Sequence, residues 1–138
     1  MMTLTLAEEC IRRVKLKAEE MGLVLSIAVV DGSGHLVAYA RMGEKRVGFG
    51  EKVAVAKAKT AVAFGKDTDA VKLQFADKPG NYNIIGLSAM YPGEFWVGPG
   101  GVPLFSGGEI IGAVGVAGSS PESLHHLVVE ALSGLALE

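Results

Sequence analysis

The side chains that could do chemistry in this chain include three histidines. His35 ends the glycine-rich stretch Asp31-Gly32-Ser33-Gly34-His35. A neutral imidazole carries one donor and one acceptor, so His35 could ligate iron or donate to a carboxylate, and an exposed turn residue is the alternative. His125 and His126 are adjacent on a predicted helix and point about 100° apart, so they suit a surface or an interface better than one shared metal ion. No spaced set of His, Asp and Glu predicts a zinc site.

Three basic side chains are candidates for binding the anionic groups of a ligand. Arg41 lies on a predicted strand, where its guanidinium could offer a two-pronged contact to a carboxylate. Lys57 lies in the middle of a predicted helix, and Arg46 lies between the two elements. A solvated surface charge is the alternative for each of them.

Aromatic residues gather in the least regular part of the chain, from residue 78 to residue 101. Tyr91, Phe95 and Trp96 stand there, and Trp96 is the only tryptophan. A long loop in a small domain is usually functional or mobile. These rings could form a lid over a planar ligand, or they could plug the core or contact another subunit.

Glycines interrupt the strongest predicted strand of the chain. Gly112, Gly115 and Gly118 weaken a strand unless something approaches its backbone closely. That neighbour could be a tightly packed helix, a bulge, a flat ligand or a second subunit. Gly98 and Gly100 lack the strand and helix that flank a dinucleotide-binding motif, so no such site is predicted.

No catalytic residues are predicted. The chain offers no Ser-His-Asp or Cys-His arrangement and no serine in a nucleophile elbow. Cys10, the single cysteine, falls on the apolar stripe of a predicted helix. It is therefore interpreted as a small buried hydrophobic residue rather than as a nucleophile.

The elements that must position these residues follow from periodicity and from turn residues. Thr5 and Glu8 form a predicted capping box for a first helix that ends at Gly22. The predicted order is then a hairpin (25–30 and 36–42), helices at 51–64 and 69–76, one helical turn near 84–90, a hairpin (102–105 and 110–118) and a last helix that opens at Ser119 or Ser120. This order predicts a single α+β domain over residues 1–138, with an antiparallel sheet from two hairpins covered by helices.

Composition excludes several classes of protein. The formal net charge of −2 gives no basic surface for nucleic acid. No apolar run approaches the roughly 20 residues that a membrane span needs. The start of the chain does not read as a signal peptide, and one cysteine cannot form an internal disulfide, so we expect a cytoplasmic protein.

Three segments of the chain carry a recognisable pattern. They are Ser26-Ile27-Ala28-Val29-Val30-Asp31-x-x-Gly34-His35-Leu36-Val37-Ala38-Tyr39-Ala40-Arg41-Met42, Lys57-Ala58-Lys59-Thr60-Ala61-x-x-Phe64, and Gly100-Gly101-x-Pro103-Leu104 followed by Gly107-x-x-Ile110-Ile111-Gly112-Ala113-Val114-Gly115-Val116-x-Gly118. In this order, and over most of the chain, they resemble the GlcG/HbpS-like family, which includes the C-terminal domain of PduO-type proteins. The middle segment, from Asn81 to Trp96, is longer and more aromatic than that pattern.

The resemblance implies a profilin-like α+β fold, assembly into a homo-oligomer, and binding of haem or a related tetrapyrrole. We expect the ligand between the second hairpin, the central helix and the aromatic loop, with His35, Arg41, Lys57, Tyr91, Phe95, Trp96, Gly112 and Gly115 as candidate contacts. Two alternatives remain open. One is an enzyme or enzyme-assisting subunit that acts on a small carboxylate or diol through Arg41 and His35, in glycolate- or cobalamin-linked metabolism. The other is a purely structural assembly module.

Overall fold

Four strands and five helices make up the part of the chain that the computed structural model describes, which is residues 1–44, 49–76, 83–118 and 121–137. In chain order they are α1 (Leu4–Glu20), β1 (Ser26–Asp31), β2 (Leu36–Arg41), α2 (Gly50–Phe64), α3 (Thr68–Ala76), α4 (Asn83–Met90), β3 (Gly101–Ser106), β4 (Glu109–Ala117) and α5 (Pro121–Leu132). The strands form one antiparallel sheet in the order β2-β1-β4-β3. The predicted α+β class, with an antiparallel sheet built from two hairpins and covered by helices, is confirmed.

Both faces of the sheet are covered, because successive side chains of a strand point to opposite sides. Ile27 and Val29 of β1 join the core cluster that contains the buried residues of α1 and α5. Ala28 and Val30 join clusters with alanines of α2 on the other face. The α2 face of the central strands therefore carries smaller side chains, and the helix can lie close to the sheet.

Gly115 of β4 shows how close α2 comes to the sheet. A Cβ at this position would overlap the carbonyl oxygen of Ala54 and would lie 2.6 Å from the amide nitrogen of Ala58. Both atoms belong to the backbone of α2, so neither can swing aside as a flexible side chain could. Tight helix packing therefore explains the absence of a side chain at Gly115.

The start of α1 differs from the prediction. The helix begins at Leu4 with Thr3 as its N-cap, and the Thr3 hydroxyl accepts a hydrogen bond from the Leu6 amide at 3.1 Å. The capping box predicted at Thr5 is wrong, because Thr5 already lies inside the first turn. Met2 and Ala7 both join the core cluster, an arrangement typical of a hydrophobic staple that fixes the entry of the chain into a helix.

The other boundaries follow the predictions closely. Gly65 ends α2 in the left-handed conformation, with a φ of 65°. Asp67 caps α3, since its carboxylate accepts a hydrogen bond from the Ala70 amide at 2.9 Å. The predicted turn near residue 84 is an eight-residue helix, α4. The candidates Arg46, Ser119 and Ser120 lie outside the described residues, and within the described ranges no helix is long and apolar enough to cross a membrane.

Candidate functional site

The loop between α4 and β3, here the aromatic loop (residues 91–100), is fixed over α2 and α3 by two buried threonines. Thr60 of α2 accepts a hydrogen bond from the Trp96 amide at 2.9 Å and donates to the Ala56 carbonyl at 2.7 Å. Thr68 accepts from the Gly101 amide at 2.8 Å and donates to the Gly98 carbonyl. Because buried polar groups that lose a partner are costly, these bonds hold the loop in one position.

Aromatic packing and an ion pair fix the same loop from its other side. The Phe95 ring packs edge-to-face against Phe64, with ring centroids 6.2 Å apart, and against Tyr91, with centroids 6.1 Å apart. The Lys59 ammonium lies 2.6 Å from a carboxylate oxygen of Glu94. Phe95 is therefore held between two hollows, and its ring lines both of them.

The first hollow, here the His35 depression, lies between the β1–β2 turn, the C-terminal half of α2 and the aromatic loop. Its volume is about 600 Å³, within the range typical of small-molecule sites. It is lined by Gly32, Ser33, Gly34, His35, Lys59, Val62, Ala63, Tyr91, Glu94 and Phe95. The candidates His35, Tyr91 and Phe95 are thus brought together here, although they are far apart in the sequence.

A carboxylate stands beside the His35 ring. The Nδ1 atom of His35 lies 3.9 Å from an oxygen of Asp31. The other oxygen of Asp31 accepts hydrogen bonds from the amides of His35 and Ser33, at 3.0 and 2.9 Å. These bonds lower the pKa of Asp31, and the bond from His35 has the largest effect. The 3.9 Å separation between Nδ1 and Asp31 is too long for a hydrogen bond, so the carboxylate does not fix the orientation of the ring.

The second hollow, here the Lys57 cleft, lies between α2, the aromatic loop and the end of β4. Its volume is about 720 Å³. It is lined by Phe49, Lys52, Val53, Ala56, Lys57, Ser88, Gly93, Phe95, Trp96, Ala117 and Gly118. The expected position of the ligand, between the second hairpin, the central helix and the aromatic loop, corresponds to this cleft rather than to the His35 depression, and the wall of the cleft is mainly apolar.

Lys57 is almost completely buried at this cleft, with 5% of its surface exposed. Its Nζ donates a hydrogen bond to the Val116 carbonyl at 2.8 Å. Burial lowers the pKa of Lys57 from 10.5 to about 8, because a charged amine loses hydration when it leaves water. Within the described ranges, no carboxylate forms an ion pair with it.

Three of the predicted site residues lie away from both hollows. Arg41 is exposed at the end of β2 that is remote from His35. At a strand rise of about 3.3 Å per residue, the two residues are about 20 Å apart, so the structure does not bring them to one small substrate. Gly112 lies against the Val30 carbonyl and the Met2 side chain, and Gly115 lies against α2.

Other reactive side chains are accounted for by packing. Cys10 is fully buried, and burial raises the pKa of its thiol to about 11, so it is a core residue and not a nucleophile. The His125 and His126 rings pack against each other on α5, and His126 is exposed. In the described parts of the chain, no three His, Cys, Asp or Glu side chains are grouped as a metal site would require.

Sequence reasoning missed two residues that shape the site, Thr60 and Thr68. A threonine within or at the start of a helix gives no specific signal, since its hydroxyl often bonds to its own helix. The partners of these hydroxyls come from a loop about 30 residues further along the chain. Only the tertiary structure reveals that they support the aromatic loop.

The fold and the site define this chain as an α+β protein with two hollows of ligand size on one face of its sheet. Its residues 2–133 match the family described as "Haem degrading protein HbpS-like", and the chain belongs to that family. The resemblance found in the sequence is therefore confirmed. A relative from Citrobacter freundii, an uncharacterised 15.0 kDa protein in the dhaT-dhaS intergenic region, is 30% identical over 130 residues, which cover 94% of this chain and 89% of the relative.

Solved structures share the fold over nearly the full chain. The protein ORFY of Klebsiella pneumoniae superposes with a TM-score of 0.84 at 26% identity and covers 98% of this chain and 92% of its own. A double mutant of HbpS from Streptomyces reticuli gives 0.82 at 26% identity, with coverages of 99% and 88%. The PduOC–haem complex gives 0.81 at 24% identity, with coverages of 95% and 92%, and this likeness shows the fold alone.

Proposed function

We propose that this protein binds haem or a related tetrapyrrole in the His35 depression, with His35 as the iron ligand. The observation that carries the proposal is the convergence of His35 and Tyr91 on one hollow. Histidine and tyrosine are both side chains that ligate haem iron in proteins. The family description names haem, and PduOC, which has the same fold, was solved with haem bound.

The residues present fit such a group in two respects. The exposed imidazole of His35 can offer a nitrogen lone pair to iron. Val62, Ala63 and Phe95 give the macrocycle an apolar surface to lie on. Bound haem would supply redox and oxygen chemistry, and the chain would supply binding, orientation and exclusion of water.

Self-association belongs to the same proposal. Large apolar side chains are exposed on this side of the molecule, with Phe49 at 77% and Trp96 at 51%. Isolated exposed apolar residues are common, but two that line one hollow, here the Lys57 cleft, are typical of an interface. A second copy that packs on this surface would take both side chains out of water. The proposal also places the protein in the cytoplasm, where the free thiol of Cys10 remains reduced.

The alternative enzyme, acting on a small carboxylate or diol through Arg41 and His35, has less support. The two side chains lie at opposite ends of β2, so one small substrate cannot contact both within a chain. The binding proposal needs only residues that the fold has already brought together.

A haem titration followed by the Soret band tests the proposal. The wild type is expected to give a saturable shift, and His35→Ala is expected to change its position and to weaken binding at least about tenfold, since even second-shell partners of metal ligands contribute that much. Tyr91→Phe removes only the phenol oxygen and tests the second candidate ligand. His126→Ala is the matched control, because His126 is exposed on α5, across the sheet from the depression.

Two results would overturn the proposal. A wild type without saturable binding in either the ferric or the ferrous state would remove haem as the ligand. A His35→Ala variant that binds like the wild type would remove the assigned ligand.

A further inference from the structure

Lys57 lies outside the His35 depression, and the haem proposal assigns it no role. Its stem lies between α2 and β4, and its amine reaches the wall of the Lys57 cleft. Gly100 confines the amine from the loop side, since a Cβ there would lie 3.2 Å from Nζ. The backbone of Gly100 has a φ of 122°, which side chains rarely adopt, so this approach is open to glycine alone.

The hydrogen bonds around Nζ suit a neutral amine better than an ammonium. An ammonium has three N–H donors, whereas in the described part of the structure only the Val116 carbonyl accepts from Nζ. A neutral amine can satisfy that acceptor with one N–H and keep its lone pair free. Loss of hydration penalises the charged form of a buried amine, so the surroundings favour the neutral form.

The charges nearby give no compensation to the ammonium. The second cation of the cleft is Lys52, which has the same sign and is exposed. The carboxylate of the aromatic loop, Glu94, is paired with Lys59. A lysine desolvated beside an apolar cavity, without a counter-ion, is the arrangement that activates amines as nucleophiles.

We propose that the Lys57 cleft captures small aldehydes or ketones as an imine on Lys57. The Nζ lone pair attacks the carbonyl carbon while the π electrons of the C=O bond move to oxygen, which takes up a proton. The resulting carbinolamine loses that oxygen as water, together with a proton from nitrogen, and a C=N bond forms. No oxidant or reductant takes part, and water is the only other product.

The wall of the cleft determines which carbonyl compounds fit beside Lys57. Phe49, Val53 and Trp96 offer apolar contact beside the amine, so a carbonyl compound with a short hydrocarbon body fits better than a strongly polar one. The site is separate from the His35 depression, with which it shares only Phe95 among its lining residues, and the inference does not depend on haem binding.

Reductive trapping tests the proposal on the haem-free, full-length chain. The protein is incubated at neutral pH with propanal and cyanoborohydride, which reduces an imine to a stable propylamine, and the modified lysines are located by peptide mass mapping. At neutral pH the neutral fraction of an amine with a pKa of about 8 exceeds that of an ordinary lysine by roughly three hundredfold, although a weaker base is also a weaker nucleophile. We expect Lys57 to be alkylated at least about tenfold faster than Lys52.

Three variants separate imine formation from damage to the fold. Lys57→Met has an apolar side chain of similar length, and Lys57→Arg keeps a cation that forms no imine. Both variants are expected to lose the fast alkylation that is assigned to Lys57. Lys52→Met, at the same cleft, is expected to keep it. Circular dichroism and thermal melting of each variant report whether it is folded.

The single tryptophan gives a second readout that needs no reductant. Trp96 lines the cleft, so its fluorescence is expected to change on addition of propanal in the wild type and not in Lys57→Met. Alkylation spread evenly over exposed lysines, with Lys57 unmodified, would overturn the proposal. Failure of the haem titration would leave this result untouched, because haem is absent from the experiment.

Discussion

Substitution of Gly115 by alanine tests whether α2 sets the close contact with β4. The added Cβ would overlap the Ala54 carbonyl oxygen and would lie 2.6 Å from the Ala58 nitrogen. Ordinary carbon–nitrogen contact needs about 3.4 Å or more, so α2 would have to move outward by about 1 Å. Overpacking of a core typically costs 1–3 kcal/mol, and because both obstacles are backbone atoms we expect a loss of about 3 kcal/mol in the free energy of unfolding.

The loss is measured by urea unfolding, with the midpoint and slope fitted separately, and by thermal melting. For a chain of this size, 1 kcal/mol corresponds to about 3–5 °C, so the melting temperature should fall by about 10 °C. Gly86→Ala is the matched control. Gly86 lies within α4, and a Cβ there would meet nothing within 4 Å. The same chemical change at that position should be neutral or should stabilise by up to about 1 kcal/mol, because alanine favours helix.

The two interpretations of the strand glycines give opposite results for ligand binding. If Gly115 serves helix packing alone, Gly115→Ala protein that remains folded should bind haem with nearly the affinity of the wild type. Unchanged stability together with a loss of haem binding would refute the packing argument. It would indicate instead that a flat ligand lies against β4.

Two further predictions concern the charge of Lys57 and the association of the chain. Burial lowers the pKa of Lys57 from 10.5 to about 8, so the unfolded chain holds one more proton than the folded chain between these pH values. As the pH rises through that window, this residue should therefore raise the free energy of unfolding by about 3 kcal/mol. Cys10, whose pKa burial raises from 9.0 to about 11, acts in the opposite direction at the top of the range. Denaturant unfolding should therefore measure how the free energy of unfolding changes with pH, in the wild type and in Lys57→Met. Equal slopes for the two proteins would contradict the burial of the amine. Light scattering at micromolar concentration should show an oligomer that is weakened by Phe49→Ser, whereas a monomeric wild type would contradict the proposed self-association.

The fold was predictable where a local signal decides the structure. Two runs of strand-forming residues around a glycine-rich turn predict the first hairpin, and Gly65 ends α2 because an alanine-rich run meets a residue that accepts the left-handed conformation. The start of α1 was predicted wrongly because two threonines compete for the N-cap. The burial of Met2, which is a tertiary effect, places the cap at Thr3.

The candidate site was predictable in its parts but not in its grouping. His35, Tyr91, Phe95 and Trp96 could be selected by residue type, since few other side chains of this chain suit a planar ligand. The sequence could not show that the Phe95 ring divides them between two hollows, because this depends on how Thr60 and Glu94 fix the aromatic loop over α2. The prediction that Arg41 and His35 act on one small substrate overlooked the length of the predicted strand between them, which sets their distance.

The packing of β4 against α2 also explains why Lys57 is buried, unlike the other lysines that the structure describes. Gly115 lets Ala54 and Ala58 approach the strand, and Lys57 precedes Ala58 on the same helix. With the helix so close, the lysine stem cannot extend into water, and the amine is held against the carbonyl of Val116, the residue next to Gly115. A larger side chain at position 115 would lift the helix, admit water beside the amine and return the pKa of Lys57 toward its ordinary value. The strand glycine that first suggested a ligand thus acts on the Lys57 cleft indirectly, by placing a buried lysine whose pKa is lowered.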